Sequence, residues 1–166
     1  SILEDLLIGS RLPVFTKKAK RRMVAHHKFY FFDVGIYRTI RPSGPLDMPE
    51  EMEGLAFETL VFQELRAIND CLHLGYELYY WHTANQAEVD FVLYGNKGLK
   101  AFEVKRTSRI NENMLRGLKA FLKDYPSAKA YLIYGGTRRL YDGNITILPI
   151  QDALLTLPDL LTSNGN

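Results

Sequence analysis

The sequence predicts an α/β fold with a mixed central sheet flanked by helices, and three observations carry that prediction. A helical pattern over residues 51–68 precedes a set of strands. Two alternating stretches, Glu88–Tyr94 and Leu99–Lys105, are joined by the turn Gly95-Asn96-Lys97-Gly98. A second helical pattern, Asn111 to Lys123, then leads to a further apolar strand, Ala128 to Tyr134. The tight turn makes the first strand pair antiparallel, while the helical crossover makes the second pair parallel.

In chain order, residues 1–8 carry a short amphipathic helical pattern that Ser1 can cap, and Pro13-Val14-Phe15 reads as a brief strand. The run Lys17-Lys18-Ala19-Lys20-Arg21-Arg22 places five cations in six residues. It either contacts phosphates or is a solvated loop of like charge. Lys28 to Asp33 is a strand with four consecutive aromatics, read as buried on both faces in preference to a base-stacking platform. Pro42, Gly44, Pro45 and Pro49 then break regular structure. The boundary is drawn there: an N-terminal appendage over 1–49, a main domain over 50–161 and a disordered tail over 162–166.

On the first long helix Leu55, Val61, Phe62, Leu65 and Ile68 form one stripe at about 100° per residue. Glu58 falls in the middle of that stripe. A carboxylate there needs a metal or a basic partner, and both readings stay open. Gly54 lies on the same stripe and would allow close approach to a sheet. Leu78 to His82 is the strand before the hairpin. On the second helix Met114, Leu115, Leu118, Phe121 and Leu122 form the buried face, with Arg116, Lys119 and Lys123 on the basic one. Ile145 to Leu148 is the last strand, and a closing helix runs from Ile150 to Leu155. Gly135-Gly136-Thr137-Arg138-Arg139 lacks the Gly-Lys-Ser/Thr ending of an ATPase phosphate loop.

The hairpin carries the chemistry. With Tyr94 opposite Leu99, Asp90 sits across from Glu103 and Glu88 across from Lys105. Period-two alternation puts these four on one face and Val89, Phe91, Phe102 and Val104 on the other. Two carboxylates facing each other at about 5 Å repel by roughly 3 kcal/mol at an effective dielectric near 20. A divalent cation reverses that cost; the alternative is a wet sheet face on which Lys105 and Lys100 screen both acids.

Composition narrows the classes. With 166 residues, 46% hydrophobic and 24% charged, the chain is an ordinary globular protein with one core. The net charge of +2 excludes neither nucleic acid nor protein partners. No apolar run approaches the roughly 18 residues a membrane span requires, so no membrane partner is expected. Lone Cys71 cannot form an internal disulfide, which points to a reducing cytoplasm. A start at Ser1 in mid-pattern suggests a piece of a longer chain.

Glu58 on a helix, Asp90 on one strand and Glu103-Val104-Lys105 on the next resemble the PD-(D/E)xK nuclease superfamily, with Val89 where its pattern has Pro. More narrowly, Lys28–Gly35, Leu55–Val61, Tyr80–Thr83 with Glu88–Phe91, and Phe102–Lys105 resemble Domain of Unknown Function 4143 of bacterial and archaeal AAA+ ATPases. His82 stands where an arginine is expected after Trp81. The resemblance implies a restriction-endonuclease-like core, a mixed central sheet flanked by helices, with a small winged-helix-like N-terminal appendage. It implies an attached AAA+ ATPase domain that alone would bind ATP. By the same resemblance, Asp90 and Glu103 would hold Mg²⁺ or Mn²⁺ with the Val104 carbonyl, and Glu58 would complete the cluster directly or through water. Lys105 would position or deprotonate the attacking water or stabilise phosphate charge. Arg106, Arg109, Arg116 and Lys119 are candidate contacts to a DNA backbone. The function expected is a metal-dependent phosphodiesterase; the alternative is a non-catalytic DNA- or protein-binding module that regulates the ATPase.

Overall fold

A computed structural model describes residues 8–33, 35, 39 and 49–164. In chain order these form β1 (Gly9–Leu12), β2 (Lys28–Phe31), α1 (Pro49–Cys71), β3 (Glu77–His82), β4 (Glu88–Gly95), β5 (Gly98–Lys105), α2 (Glu112–Asp124), β6 (Lys129–Tyr134), β7 (Leu140–Asp142), β8 (Ile145–Pro149) and α3 (Ile150–Thr162). Six strands make one mixed sheet in the order β3-β4-β5-β6-β8-β7, and β1 pairs with β2 in a separate antiparallel ribbon. The α/β class and the mixed sheet are as the sequence predicts: β4 and β5 are antiparallel, β5 and β6 parallel. β7, which the sequence reading missed, is a short exposed strand at the far edge of the sheet. Among the described residues no helix is long and apolar enough to cross a membrane.

Apolar side chains divide into two clusters, one on each face of the sheet. On one face α1 contributes Val61, Phe62 and Leu65 and α3 contributes Ala153, Leu157 and Leu161, packed over Phe91, Phe102 and Ile133. On the other, Leu115, Leu118 and Phe121 of α2 pack over Val89, Val92, Ala101 and Leu132. Asn111 caps α2 by accepting the N–H of Met114 at 3.3 Å. α3 runs past the predicted end at Leu155 and through Pro158, because Leu157 and Leu161 are buried on the α1 side. The carbonyls of Ser163 and Asn164, in the stretch expected to be a loose tail, accept from Lys100 Nζ at 2.9 Å and Lys129 Nζ at 3.0 Å.

Residues 8–33 join this core. Leu12 and Tyr30 enter the α1-side cluster, and Phe15 enters the α2-side one. Between them the chain crosses the outer edge of β3: Phe15 N–H donates to Tyr80 O at 2.7 Å, and Tyr80 N–H to Pro13 O at 3.0 Å. Further along, Val24 N–H donates to His82 O at 3.1 Å. These contacts occupy backbone groups that an edge strand otherwise leaves open. The basic run is partly consumed here. Arg21 binds Asp124 with two hydrogen bonds, and Lys17 pairs with Glu77 at 2.8 Å while lying over the Tyr94 ring. The helical pattern expected over residues 1–8 and the break expected over 41–49 lie, but for residues 8 and 49, outside the described residues.

The aromatic strand differs from its predicted burial. Only Tyr30 is buried; Phe29 and Phe31 are half-buried and Phe32 is 64% exposed. Among the described residues β2 pairs with β1 alone, and Phe29 and Phe31 pack edge to face on each other at 5.2 Å on its half-buried side. Gly54 also departs from expectation, since a Cβ there would meet no described residue within 4 Å. The close approach is made by Gly117 of α2, where a Cβ would fall 1.8 Å from the Glu88 carbonyl oxygen.

Candidate functional site

The β4–β5 hairpin has the predicted register, with Gly95 opposite Gly98, Tyr94 opposite Leu99 and Phe91 opposite Phe102. The ladder stops there. Beyond it the Val104 N–H donates to Asp90 Oδ2 at 2.9 Å, so a side chain takes the place of the next backbone pair. On its other side β4 carries a bulge: Tyr79 pairs with Val92 but Trp81 with Val89, leaving Asp90 and Phe91 together opposite Tyr80. The bulge shifts the alternation. Val89 therefore packs on the α2 side while Phe91, Phe102 and Val104 pack on the α1 side, which corrects the single apolar face expected for all four. The same shift undoes the expected pairing of Glu88 with Lys105. Glu88 instead pairs with Lys28.

Four carboxylates and two ammonium groups gather at this bulge. Lys105 Nζ lies 2.5 Å from Glu103 Oε1 and 3.9 Å from Asp90 Oδ2. Lys28 Nζ lies 3.6 Å from Glu58 Oε1, 3.6 Å from Asp90 Oδ1 and in direct contact with Glu88 Oε1. Tyr30 donates its hydroxyl to Glu58 Oε1. The Tyr30 ring stacks on Phe62 of α1 at 4.7 Å and tilts against Phe91 of β4 at 5.5 Å. This aromatic packing holds β2 where Lys28 and the Tyr30 hydroxyl reach α1 and β4.

Electrostatics follow from burial. Asp90 and Glu103 are 5% and 6% exposed. Burial, and then the charge of Asp90, push the Glu103 carboxyl up to about 8, more than Lys105 can offset. Glu103 Oε2 is buried with no hydrogen-bond partner. Burial and Asp90 likewise raise Glu58, against the pull of Lys28 and Tyr30. Burial would lower both lysines, but the acids around them prevail: Asp90, Glu58 and Glu88 raise Lys28, and Asp90 and Glu103 raise Lys105. Both ammonium groups are therefore charged at neutral pH.

The structure thus brings Glu58, Asp90, Glu103 and Lys105 together. It does not bring the candidate backbone contacts into the cluster. Arg106 pairs with Glu53 of α1, Lys119 pairs with Asp142 of β7 at 3.0 Å, and Arg109 and Arg116 are exposed. Sequence reasoning missed Lys28 and Tyr30. Their spacing of two, which places them on one strand face opposite Phe29 and Phe31, was the available signal. Among the described residues no three His, Cys, Asp or Glu side chains converge closely enough to hold an ion unaided. The donor set nevertheless suits a hard divalent cation, because two buried carboxylates on adjacent strands include one oxygen that nothing else engages.

No solved structure matches the chain significantly. Two uncharacterized proteins, Mb2031c of Mycobacterium bovis and Rv2008c of Mycobacterium tuberculosis, are each 26% identical over 99% of this chain. The chain spans 35% of the length of each of those relatives. Residues 53–153, which include α1 from its second turn, the acidic hairpin, α2 and the parallel strands, match a family described as a domain of unknown function, and the chain belongs to that family, DUF4143.

Proposed function

We propose that this domain is a metal-dependent phosphodiesterase with a restriction-endonuclease-like core of the PD-(D/E)xK kind, acting on DNA in preference to RNA. The observation that carries the reading is the pair of buried carboxylates, Asp90 and Glu103, on neighbouring strands with Lys105 between them. Stability alone does not favour two adjacent buried acids, since carboxylates taken out of water side by side are costly. The unengaged Glu103 Oε2 supports the same reading.

Asp90 and Glu103, with the Val104 carbonyl, would hold Mg²⁺ or Mn²⁺ and leave several positions for water. What a bound ion supplies is a water of lowered pKa and neutralisation of charge on the phosphate. Lys105 then positions or deprotonates the attacking water, or stabilises charge building on the phosphate oxygens. Glu58 completes the cluster through water. Arg106, Arg109, Arg116 and Lys119 are the proposed contacts to the DNA backbone.

In the same proposal residues 1–49 belong to a winged-helix-like region leading from an AAA+ ATPase that alone binds ATP. The Mycobacterium relatives, of which this chain matches 35%, have length to spare for such a domain. A cytoplasmic location fits the exposed free thiol of Cys71. One observation favours a second reading, a non-catalytic module that regulates the ATPase: Lys28 and Lys105 already balance much of the acidic charge.

Calorimetric titration of Mn²⁺ into the wild type and Asp90→Asn, followed by incubation with supercoiled and single-stranded DNA, tests the proposal. Binding and cleavage that Asp90→Asn abolishes are expected. Metal binding unaffected by Asp90→Asn rejects the site, and binding without cleavage of either substrate selects the regulatory module.

A further inference from the structure

We propose that Lys28 is a tethered competitor for the divalent ion: its ammonium stands among Glu58, Glu88 and Asp90 in the metal-free protein and has to leave Asp90 before an ion binds there. The inference rests on the metal-binding reading of Asp90 and Glu103, and it concerns a residue that reading does not use.

The two oxygens of Asp90 are not equivalent. Oδ2 accepts the Val104 N–H at 2.9 Å and faces Lys105 at 3.9 Å. Oδ1 faces Lys28 at 3.6 Å. An oxygen fixed by a backbone N–H is costly to redirect, because burial leaves that N–H no substitute partner. Oδ1 is therefore the oxygen left for an ion, and Lys28 is the group in front of it.

Distances point the same way. Oxygen ligands of Mg²⁺ and Ca²⁺ lie at about 2.0–2.6 Å, whereas Lys28 keeps Glu58 Oε1 and Asp90 Oδ1 each at 3.6 Å. The carboxylates are spaced around an ammonium, in keeping with the absence among the described residues of any three acidic or imidazole side chains arranged to hold an ion. Glu103 Oε2, buried and unpartnered, is the second oxygen not engaged by another group. An ammonium and a divalent ion sharing Asp90 repel strongly at such separations. The Lys28 side chain, 25% exposed on a flexible stem, is able to withdraw. Once withdrawn it lies beside the ion-binding oxygens, where a phosphate would be received.

The test is Mn²⁺ titration by calorimetry on wild type, Lys28→Met, Lys28→Gln, Lys28→Arg and Asp90→Asn, each first verified as folded by circular dichroism. Expected is a roughly tenfold or greater gain in affinity for Lys28→Met and Lys28→Gln, from removal of a like charge next to the ion. Lys28→Arg retains the competing charge and stays near the wild type, and Asp90→Asn loses binding. Wild-type or weaker affinity in the neutral variants, with Asp90→Asn still inactive in binding, overturns the role of Lys28 and leaves the metal site standing. Absence of binding in wild type and neutral variants alike overturns the metal reading and this inference with it. Lys28→Gln keeps a polar, extended side chain, so it serves if Lys28→Met does not fold.

Discussion

Val104 donates its backbone N–H to Asp90 Oδ2 across the open end of the β4–β5 hairpin, at 2.9 Å. Asp90 is therefore structural as well as a candidate ligand, and the two roles separate by substitution. Asp90→Asn keeps an oxygen acceptor for the Val104 N–H, whereas Asp90→Ala leaves that buried group without one. We predict that Asp90→Asn folds with near wild-type urea stability and that Asp90→Ala loses about 1–3 kcal/mol. Equal midpoints for the two variants would mean that the hydrogen bond contributes nothing.

Tyr30 combines packing and polarity in one side chain. Its ring stacks on Phe62, and its hydroxyl donates to Glu58. Tyr30→Phe keeps the stack and removes the bond, at an expected loss of about 1–3 kcal/mol because a partly buried acceptor loses its donor. Tyr30→Ala also empties core volume, and aromatic truncations of this kind cost roughly 3–5 kcal/mol. A double-mutant cycle of Tyr30→Phe with Glu58→Gln, read by urea denaturation, isolates the bond itself; additive losses would show that the hydroxyl and the carboxylate are not coupled.

These residues also mark how far the sequence could be read. The hairpin register followed from Gly95 and Gly98, and the parallel β5–β6 pair followed from the helix between them, because both are local constraints on the backbone. Asp90, Glu103 and Glu58 were legible as acids at positions where the local sequence pattern calls for apolar or unlike-charged side chains. The bulge was not legible, since an extra residue in β4 leaves no mark in the period-two pattern, and with it went the side assigned to Val89 and the partner assigned to Glu88. Lys28 escaped for another reason. Its place depends on β2 packing against α1 and β4 through Tyr30, a long-range contact no window of sequence contains.

Burial and the charge of Asp90 raise the Glu103 carboxyl from its ordinary 4.5 up to about 8, so the folded metal-free domain keeps a proton that the unfolded chain releases. Folding is then coupled to proton uptake between those values. A group with a raised folded pKa contributes most below its unfolded pKa, so stability falls as pH rises from 4.5 to about 8 and levels off beyond. Glu58, raised mainly by burial, acts in the same direction. Lys28 and Lys105 are raised above 10.5, so their contribution is lost only at higher pH and does not mask the trend. Urea midpoints measured in metal-free buffer across this window should decline for the wild type and flatten in Glu103→Gln. A wild-type profile that is flat or rises with pH contradicts the assignment.

Two helical glycines separate a packing requirement from a propensity cost. Gly54 in α1 has no described residue within 4 Å of an added Cβ, so Gly54→Ala should stabilise the domain by about 0.5–1 kcal/mol through helix propensity alone. Gly117 in α2 is the opposite case. A Cβ there would lie 1.8 Å from the carbonyl oxygen of Glu88, a backbone atom that cannot swing aside. α2 must then move off β4, and overpacking of this kind costs roughly 1–3 kcal/mol despite the gain in propensity. The displacement acts on β4 two residues before Asp90, so Gly117→Ala should also weaken Mn²⁺ binding, while Gly54→Ala leaves it unchanged. If the contact between α2 and Glu88 sets the position of β4, thermal melts of the two variants shift in opposite directions and only Gly117→Ala weakens the metal titration. A Gly117→Ala protein as stable as the wild type would show that the helix can be accommodated elsewhere, and that the approach to Glu88 is not what positions the acids.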